Sequence, residues 1–276
     1  MTATTDETWT ADGTVLNTYA WNIRTLSERS GLPPTRGEND AIPYRRGRLW
    51  TPKEYDQRTI PLAMWIVGCD ANGILPTAHS RRAQLNANED ALLRVFGVRH
   101  RQITMVRQKR MPSGLLTLTG LVECSNTMSP SMMAGGTRAT LSVDLLMADP
   151  VWYAPLVTES VTSAGATITN PGSAEALDMQ LSLIGPLTNP RLLNTTTGIE
   201  VRYSGTISSG QTVVLDTANF TALLGATNVI GSIRHVGAPQ WMKLFPGANV
   251  MVLNNWQGGA VGAGSVSVAY RPPHLS

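Results

Sequence analysis

The sequence predicts a mainly β protein built from two domains, and three observations predict it. Short runs that alternate apolar and polar residues recur along most of the chain, separated by turns bearing glycine and proline. Only one stretch, closing at Gly97, reads as a helix. The two halves also differ in charge, with 17 Lys/Arg and 14 Asp/Glu in residues 1–150 but five of each in residues 151–276. A chain of 276 residues exceeds the roughly 100–200 usual for one domain. The expected division is a first domain of residues 1–150, a linker of 151–172 and a second domain of 173–276, with the linker placed where charge density falls.

Residues 1–13 are polar and are expected to fray. Val15 to Leu26 reads as the first strand, with Tyr19 and Trp21 on one face. Ser27 to Gln57 is long for a loop and holds four prolines and three glycines. Stretches above about 12–15 residues without regular structure are functional arms or disordered, and Tyr44, Leu49, Trp50 and Tyr55 are many anchors for disorder. The stretch therefore reads as an extended arm, with a hairpin as one form open to it, ordered by a neighbour. Its Arg45, Arg46 and Arg48 read as a solvated or inter-subunit charge cluster, with a basic site as the alternative. Thr59 to Val67 is apolar enough for a buried strand whose start Pro61 pushes toward an edge.

Asp70-Ala71-Asn72-Gly73 is a turn. The helix is expected to open at Asn86 or Asn88 as cap, with Glu89 and Asp90 complementing the dipole, and to bury Leu92, Val95 and Phe96. Six Lys/Arg and no acid lie between Ala91 and Val122. The block lacks the interleaved aromatics of a nucleic-acid platform, and Ile103, Met105 and Val106 suit a strand with charged ends. Strands follow at Leu116–Cys124 and at Arg138–Met147, where Ala139, Leu141, Val143, Leu145 and Met147 share one face.

In the second domain Leu177, Met179, Leu181 and Leu183 alternate with polar residues until Gly185-Pro186. Asn189 to Asp216 then reads as an antiparallel meander turning at Thr197-Gly198 and Ser209-Gly210, with Ile199, Val201 and Tyr203 opposite Glu200 and Arg202. Val250–Leu253 and Val266–Tyr270 supply the last strands, and the domain reads as a sandwich.

The chemistry of catalysis is missing from the sequence. It holds no G-x-S-x-G, H-E-x-x-H or Walker loop, and no G-x-G-x-x-G after a strand. His79, His100, His235 and His274 lie outside any catalytic motif, and Cys69 and Cys124 read as buried reduced thiols. No catalytic, cofactor-binding or metal-binding residue is nominated. The N-terminus has acids and no basic residue ahead of an apolar run, so no secretory signal is expected and synthesis is assigned to the cytoplasm. No apolar run reaches the roughly 18 residues of a membrane span.

The order of these features resembles a known family. The run GSAEALDMQLSLIGPLTNPRLLNTTTGIEVRYSGTISSGQTVVLDT, the Trp-Met-x-Leu-Phe-Pro-Gly-x-Asn strand at Trp241–Asn249 and the terminal SVSVAYRPPHL resemble the C-terminal domain of distal tail proteins of long-tailed bacteriophages. LNTYAWNI, the arm and the strand-helix-strand run resemble their ring-forming domain. The resemblance implies a tail-tube-like β-barrel or sandwich with one flanking helix and a long arm, followed by a galectin-like antiparallel β-sandwich. It also implies a structural virion protein, not an enzyme, that forms a hexameric ring joining the tail tube to the tail tip or baseplate. Implied partners are its own copies, the tube protein above, the tail hub or tail-associated lysin below, and receptor-binding or side-fibre proteins. In that ring Leu49, Trp50 and Tyr55 bury against the next subunit while Arg45, Arg46 and Arg48 pair with its acids. The alternative is a lectin-like tail module for host-surface attachment. Galectin-like sandwiches stack sugar on an exposed aromatic; Trp241 reads as core, so Trp256 is the possible glycan contact.

Overall fold

The computed structural model of the protein describes residues 7–23, 31–41, 46, 48–49, 51, 53–235 and 241–276, with the backbone alone at 40, 41, 48, 49 and 235. The chain divides into two compact units, Met1–Trp152 with Leu275–Ser276, and Tyr153–His274.

The first unit opens with β1 (Glu7–Ala11), β2 (Thr14–Val15) and β3 (Trp21–Ile23). The arm carries β4 (Thr35–Arg36), β5 (Asp40–Ala41), β6 (Arg48–Leu49) and β7 (Glu54–Tyr55). After it come β8 (Arg58–Val67), helix α1 (Arg81–Phe96), β9 (Ile103–Met111), β10 (Gly114–Cys124), β11 (Ser131–Met132) and β12 (Arg138–Met147). Outside the arm the strands lie in the order β2-β1-β9-β10-β12-β8-β3, with β11 beside β12. β8 and β12 pair along their whole lengths, from Arg138 opposite Val67 to Met147 opposite Arg58. The five β12 residues expected on one face are all buried, as are Ile60, Leu62, Met64 and Ile66 of β8. The described part of β3 pairs with β8 from Met64 to Ile66.

Three expectations for this unit are corrected. Glu7–Ala11 does not fray but is a strand along β9, because it supplies Trp9, a fully enclosed side chain of the core. The expected strand Val15–Leu26 is instead β2 and β3, separated by a bend in which the Asn17 side chain accepts from Trp9 N at 2.7 Å; residues 24–26 lie outside the described residues. The helix starts at Arg81, with Ser80 as cap: its Oγ accepts from Ala83 N at 3.1 Å. Asn88 is inside the helix, buried, and donates to Val67 O and Cys69 O at 2.7 and 2.8 Å. The buried stripe is Leu85, Asn88, Leu92 and Phe96, facing β8 and β12. Gly68 joins β8 to this region. A Cβ there would stand 2.0 Å from the Arg81 carbonyl oxygen, so only glycine allows that approach.

The second unit follows β13 (Trp152–Tyr153) and contains β14 (Val157–Val161), β15 (Ala166–Asn170), β16 (Met179–Ile184), β17 (Leu187–Thr188), β18 (Pro190–Asn194) and β19 (Ile199–Tyr203). It continues through β20 (Thr206–Ile207), β21 (Thr212–Asp216), β22 (Thr221–Leu224), β23 (Thr227–Asn228), β24 (Ile233–His235), β25 (Gly247–Asn255), β26 (Ser265–Tyr270) and β27 (Pro273–His274). Two antiparallel sheets, β14-β26-β16-β21-β22-β23 and β15-β25-β18-β19-β24, enclose one core. Leu181, Leu183, Val213, Leu215, Val266 and Val268 meet Leu192, Val201, Met251 and Leu253 there, all at most 3% exposed.

Three readings of this half change. The stretch expected as a linker, 151–172, carries β14 and β15, each paired along its length within the sandwich. Their small polar residues hid the strands from a charge-based boundary. The expected meander is not one. β18 and β19 pair across the Thr197-Gly198 turn, but β21 pairs with β16 and β22 in the other sheet. Alternation marks which residues face inward but not which sheet they join. Trp241–Asn249 is not a continuous strand: Leu244 makes one isolated bridge to Ala176, and β25 begins at Gly247. Asn249 explains the motif. Fully buried, its Oδ1 accepts from Phe245 N and Asn194 Nδ2, and its Nδ2 donates to Phe245 O and Gly247 O, all at 2.8–3.0 Å. One side chain thus pins the Pro-Gly turn to the start of β25.

Candidate interaction surfaces

The arm is a hairpin held by two nested ladders, Thr35 opposite Tyr55 and Arg36 opposite Glu54 at its base, Asp40 opposite Leu49 and Ala41 opposite Arg48 further out. Side chains tie its two limbs. Thr51 Oγ1 donates to Glu38 O at 2.7 Å, and Lys53 Nζ donates to Gly37 O at 2.6 Å. Leu32 is 75% exposed and Tyr55 40% exposed. Of the six residues expected at a subunit interface, Arg45 and Trp50 lie outside the described residues. Arg48 and Leu49 belong to β6, Arg46 is exposed, and Tyr55 lies in β7. The hairpin therefore gathers those described on one element.

β2 pairs with β1 at Thr10 and Ala11; beyond them Leu16 N donates to Trp9 O at 2.8 Å and Trp9 N donates to Asn17 Oδ1 at 2.7 Å. The described part of β3 pairs with β8 from Met64 to Ile66.

The basic run of β9 and its flanks does not form one stripe. Arg107 is buried, ion-paired with Glu7 and stacked 5.1 Å from the Trp9 ring. Arg101 pairs with Asp12 at 2.8 Å, which holds that carboxyl below its usual range. Arg99 donates to the carbonyls of Phe96 and Cys124. Lys109 donates to Ser276 O; burial first, then Arg107 and Arg58, push it down to about 8.

On the second unit, Trp256 is half-buried at the end of the β18-β19-β25 surface. Its Nε1 donates to Tyr203 O at 3.1 Å and its backbone N donates to Asn189 O at 3.1 Å. The Arg202 guanidinium lies 5.7 Å from its ring centroid. Arg202 also pairs with Glu200 at 2.6 Å, Glu200 with Arg191 at 3.5 Å, and Arg191 Nε donates to Asn254 Oδ1 at 2.9 Å. Sequence alternation put Glu200 outward, and the two arginines are what enclose it. Trp241 packs against the core and against Phe220, whose centroid is 5.6 Å away.

Among the described residues no three His, Cys, Asp or Glu side chains group to hold a metal ion. Cys69 and Cys124 are both buried free thiols, and burial pushes the Cys69 thiol up. No described helix is long and apolar enough to cross a membrane.

No family model matches the sequence, and no curated protein matches it. Among solved structures the chain is similar to the Dit (gp 19.1) protein of phage SPP1, described as a paradigm of the hub adsorption apparatus in phages infecting Gram-positive bacteria. The TM-score is 0.67 at 12% identity, over 97% of this chain and 98% of that one. Chains of the phage P2 baseplate in its activated conformation, with calcium and with strontium, give TM-scores of 0.41 and 0.39 at 9% and 10% identity. The chain thus has the mainly β fold of the SPP1 Dit protein through both of its units.

Proposed function

We propose that this chain is a distal tail protein of a long-tailed phage, a structural virion component at the tail tip. In this reading six copies close a ring between the tail tube and the tip or baseplate. The observation that carries it is the correspondence with the SPP1 Dit fold over 97% of the chain, arm and both units included. One feature of the first unit supports the ring. The hairpin, with Arg46 and Tyr55 exposed, is proposed to contact the next subunit through Arg45, Arg46, Arg48, Leu49, Trp50 and Tyr55. The second unit, with few charges, serves as a docking platform for receptor-binding or side-fibre proteins. The tube protein and the hub or tail-associated lysin protein are the proposed axial partners.

Light scattering of the purified chain tests this. A species of about six times 29.7 kDa that caps tubes of the cognate tail-tube protein is the expected result; a strict monomer that leaves tubes uncapped refutes it. The geometry of Trp256 favours one second reading, a carbohydrate contact, since one hydrogen bond from the indole and one from its backbone N hold the residue beside the Arg191, Glu200 and Arg202 cluster. Arg202 stands over the ring, so a stacked sugar would use the face that Arg202 leaves open. Loss of glycan-array binding in Trp256→Ala is its test, and an array blank for the parent chain ends it.

A further inference from the structure

Inward-facing positions of β8 run Arg58, Ile60, Leu62, Met64 and Ile66, so strand alternation drives a guanidinium into the core of the first unit. Arg58 is 6% exposed. Its Nη1 donates to Leu275 O at 2.7 Å and reaches Gly31 O at 3.5 Å, and the guanidinium lies 5.8 Å from the Trp152 ring centroid. Nε and Nη2 are both buried and donate to no acceptor. These two nitrogens form one edge of the guanidinium, the edge whose parallel N–H groups match the two oxygens of a carboxylate.

The surroundings repeat the demand for an acceptor. Trp152 Nε1 and Trp9 Nε1, from the two rings that meet edge to face at 5.6 Å, are likewise buried donors without a partner. Four unpartnered donors with no unpartnered acceptor among these side chains depart from the rule that buried polar groups are satisfied. The charge is lopsided too. Arg107 acts on Arg58 and Arg58 on Lys109, while Glu7 and Asp149 are the opposing carboxylates. Burial first, then Arg107, push Arg58 down to about 10, a large fall for a guanidinium. A pocket of about 400 Å³ adjoins, between Gly31, Leu32 and Pro34 of the arm root and residues 57–61, Arg58 among them. Its apolar walls at Leu32, Ile60 and Pro61 suit the carbon stem of an acid.

We propose that the arm root holds a carboxylate-binding site, in which the Nε and Nη2 edge of Arg58 takes both oxygens of a carboxylate entering through this pocket. The site stands apart from the ring reading. The carboxylate belongs either to a free organic acid or to an Asp or Glu side chain of a second copy of this chain, and one experiment separates the two. The full chain, labelled with ¹⁵N at arginine, is titrated with sodium acetate against sodium chloride at constant ionic strength, at low and high protein concentration. The Arg58 Hε resonance is assigned in the ¹³C,¹⁵N-labelled parent chain through its own side-chain carbons, and Arg58→Lys keeps the charge and loses the fork.

The expected result is a saturable downfield shift of that resonance. If it appears with acetate in dilute protein, the site takes a free acid. If it appears with rising protein concentration and acetate reverses it together with self-association, the acid comes from a second copy. In either case Arg58→Lys weakens apparent acetate affinity at least tenfold by thermal shift. A resonance that moves with neither acetate nor concentration overturns the proposal, and this readout needs only the parent chain should the variant fail to fold.

Discussion

Asn249 shows how much one residue can decide. It makes four hydrogen bonds in a fully buried position, and three of them go to backbone groups of residues 245 and 247. Replacing it with Ala leaves those groups and Asn194 without partners, at about 1–3 kcal/mol for each group left unsatisfied. Asn249→Ala is expected to lower the urea midpoint of the second unit strongly, while Asn255→Ala, half-buried at the far end of the same strand, changes it less. Gly68 is a second case. Because the atom a Cβ would meet is the backbone oxygen of Arg81, no side-chain rotation relieves it. Gly68→Ala is expected to cost about 1–3 kcal/mol as overpacking, read as a fall in Tm.

Lys109 gives a pH signature at the same scale. Its folded form holds the proton only to about 8, whereas the unfolded lysine holds it to about 10.5. Between those values the unfolded chain binds more protons, so stability rises with pH across that window, and the penalty is fully present below about 8. Lys109→Met should be more stable than the parent at pH 7, with the difference shrinking toward pH 10. A constant difference over that range would show that Lys109 does not titrate as stated.

At the scale of elements, the helix and the arm carry separate arguments. The helix is anchored through Ser80, whose cap satisfies Ala83 N, and through the Leu85, Asn88, Leu92 and Phe96 stripe. Ser80→Ala is expected to cost about 0.5–2 kcal/mol, whereas Asn86→Ala, at an exposed mid-helix position, stabilises slightly through propensity. Circular dichroism melts of the two variants separate Ser80 from Asn86 as the cap. The arm tells a different story. Its ladders are short, and most of its described side chains face solvent, so it contributes little to the fold of the first unit. Replacing residues 27–57 with a short Gly/Ser linker should leave both units folded and abolish ring formation, which light scattering and near-UV dichroism read together. Rings from such a deletion would remove the arm from the interface.

For the whole molecule, each unit has its own core, and the 153–274 unit closes two sheets on one set of apolar side chains. Expressed alone, residues 153–276 should unfold in a single cooperative transition; a non-cooperative melt would show that the sandwich depends on the first unit.

The alternation of apolar and polar residues was enough to place the inward faces of β12, β16 and β26, because period 2 is a property of the strand itself. It also marked one helix and one arm, and the order of elements was enough to point to the distal tail fold. Three things were decided only by tertiary structure. Which sheet β21 joins depends on pairing partners far along the chain. That Asn88 lies inside the helix and not at its cap depends on its finding Val67 O and Cys69 O, and where the second unit starts depends on β14 and β15 meeting β26 and β25. The proposed interface residues were legible only as anchors in an arm without an obvious core, and Arg58 not at all. An arginine beginning an apolar strand reads as a solvated end, and only the packing of Trp152, Leu275 and Gly31 around it turns its free edge into a site. Local periodicity is written in neighbouring residues; burial of a charge is a property of what the rest of the chain brings to it.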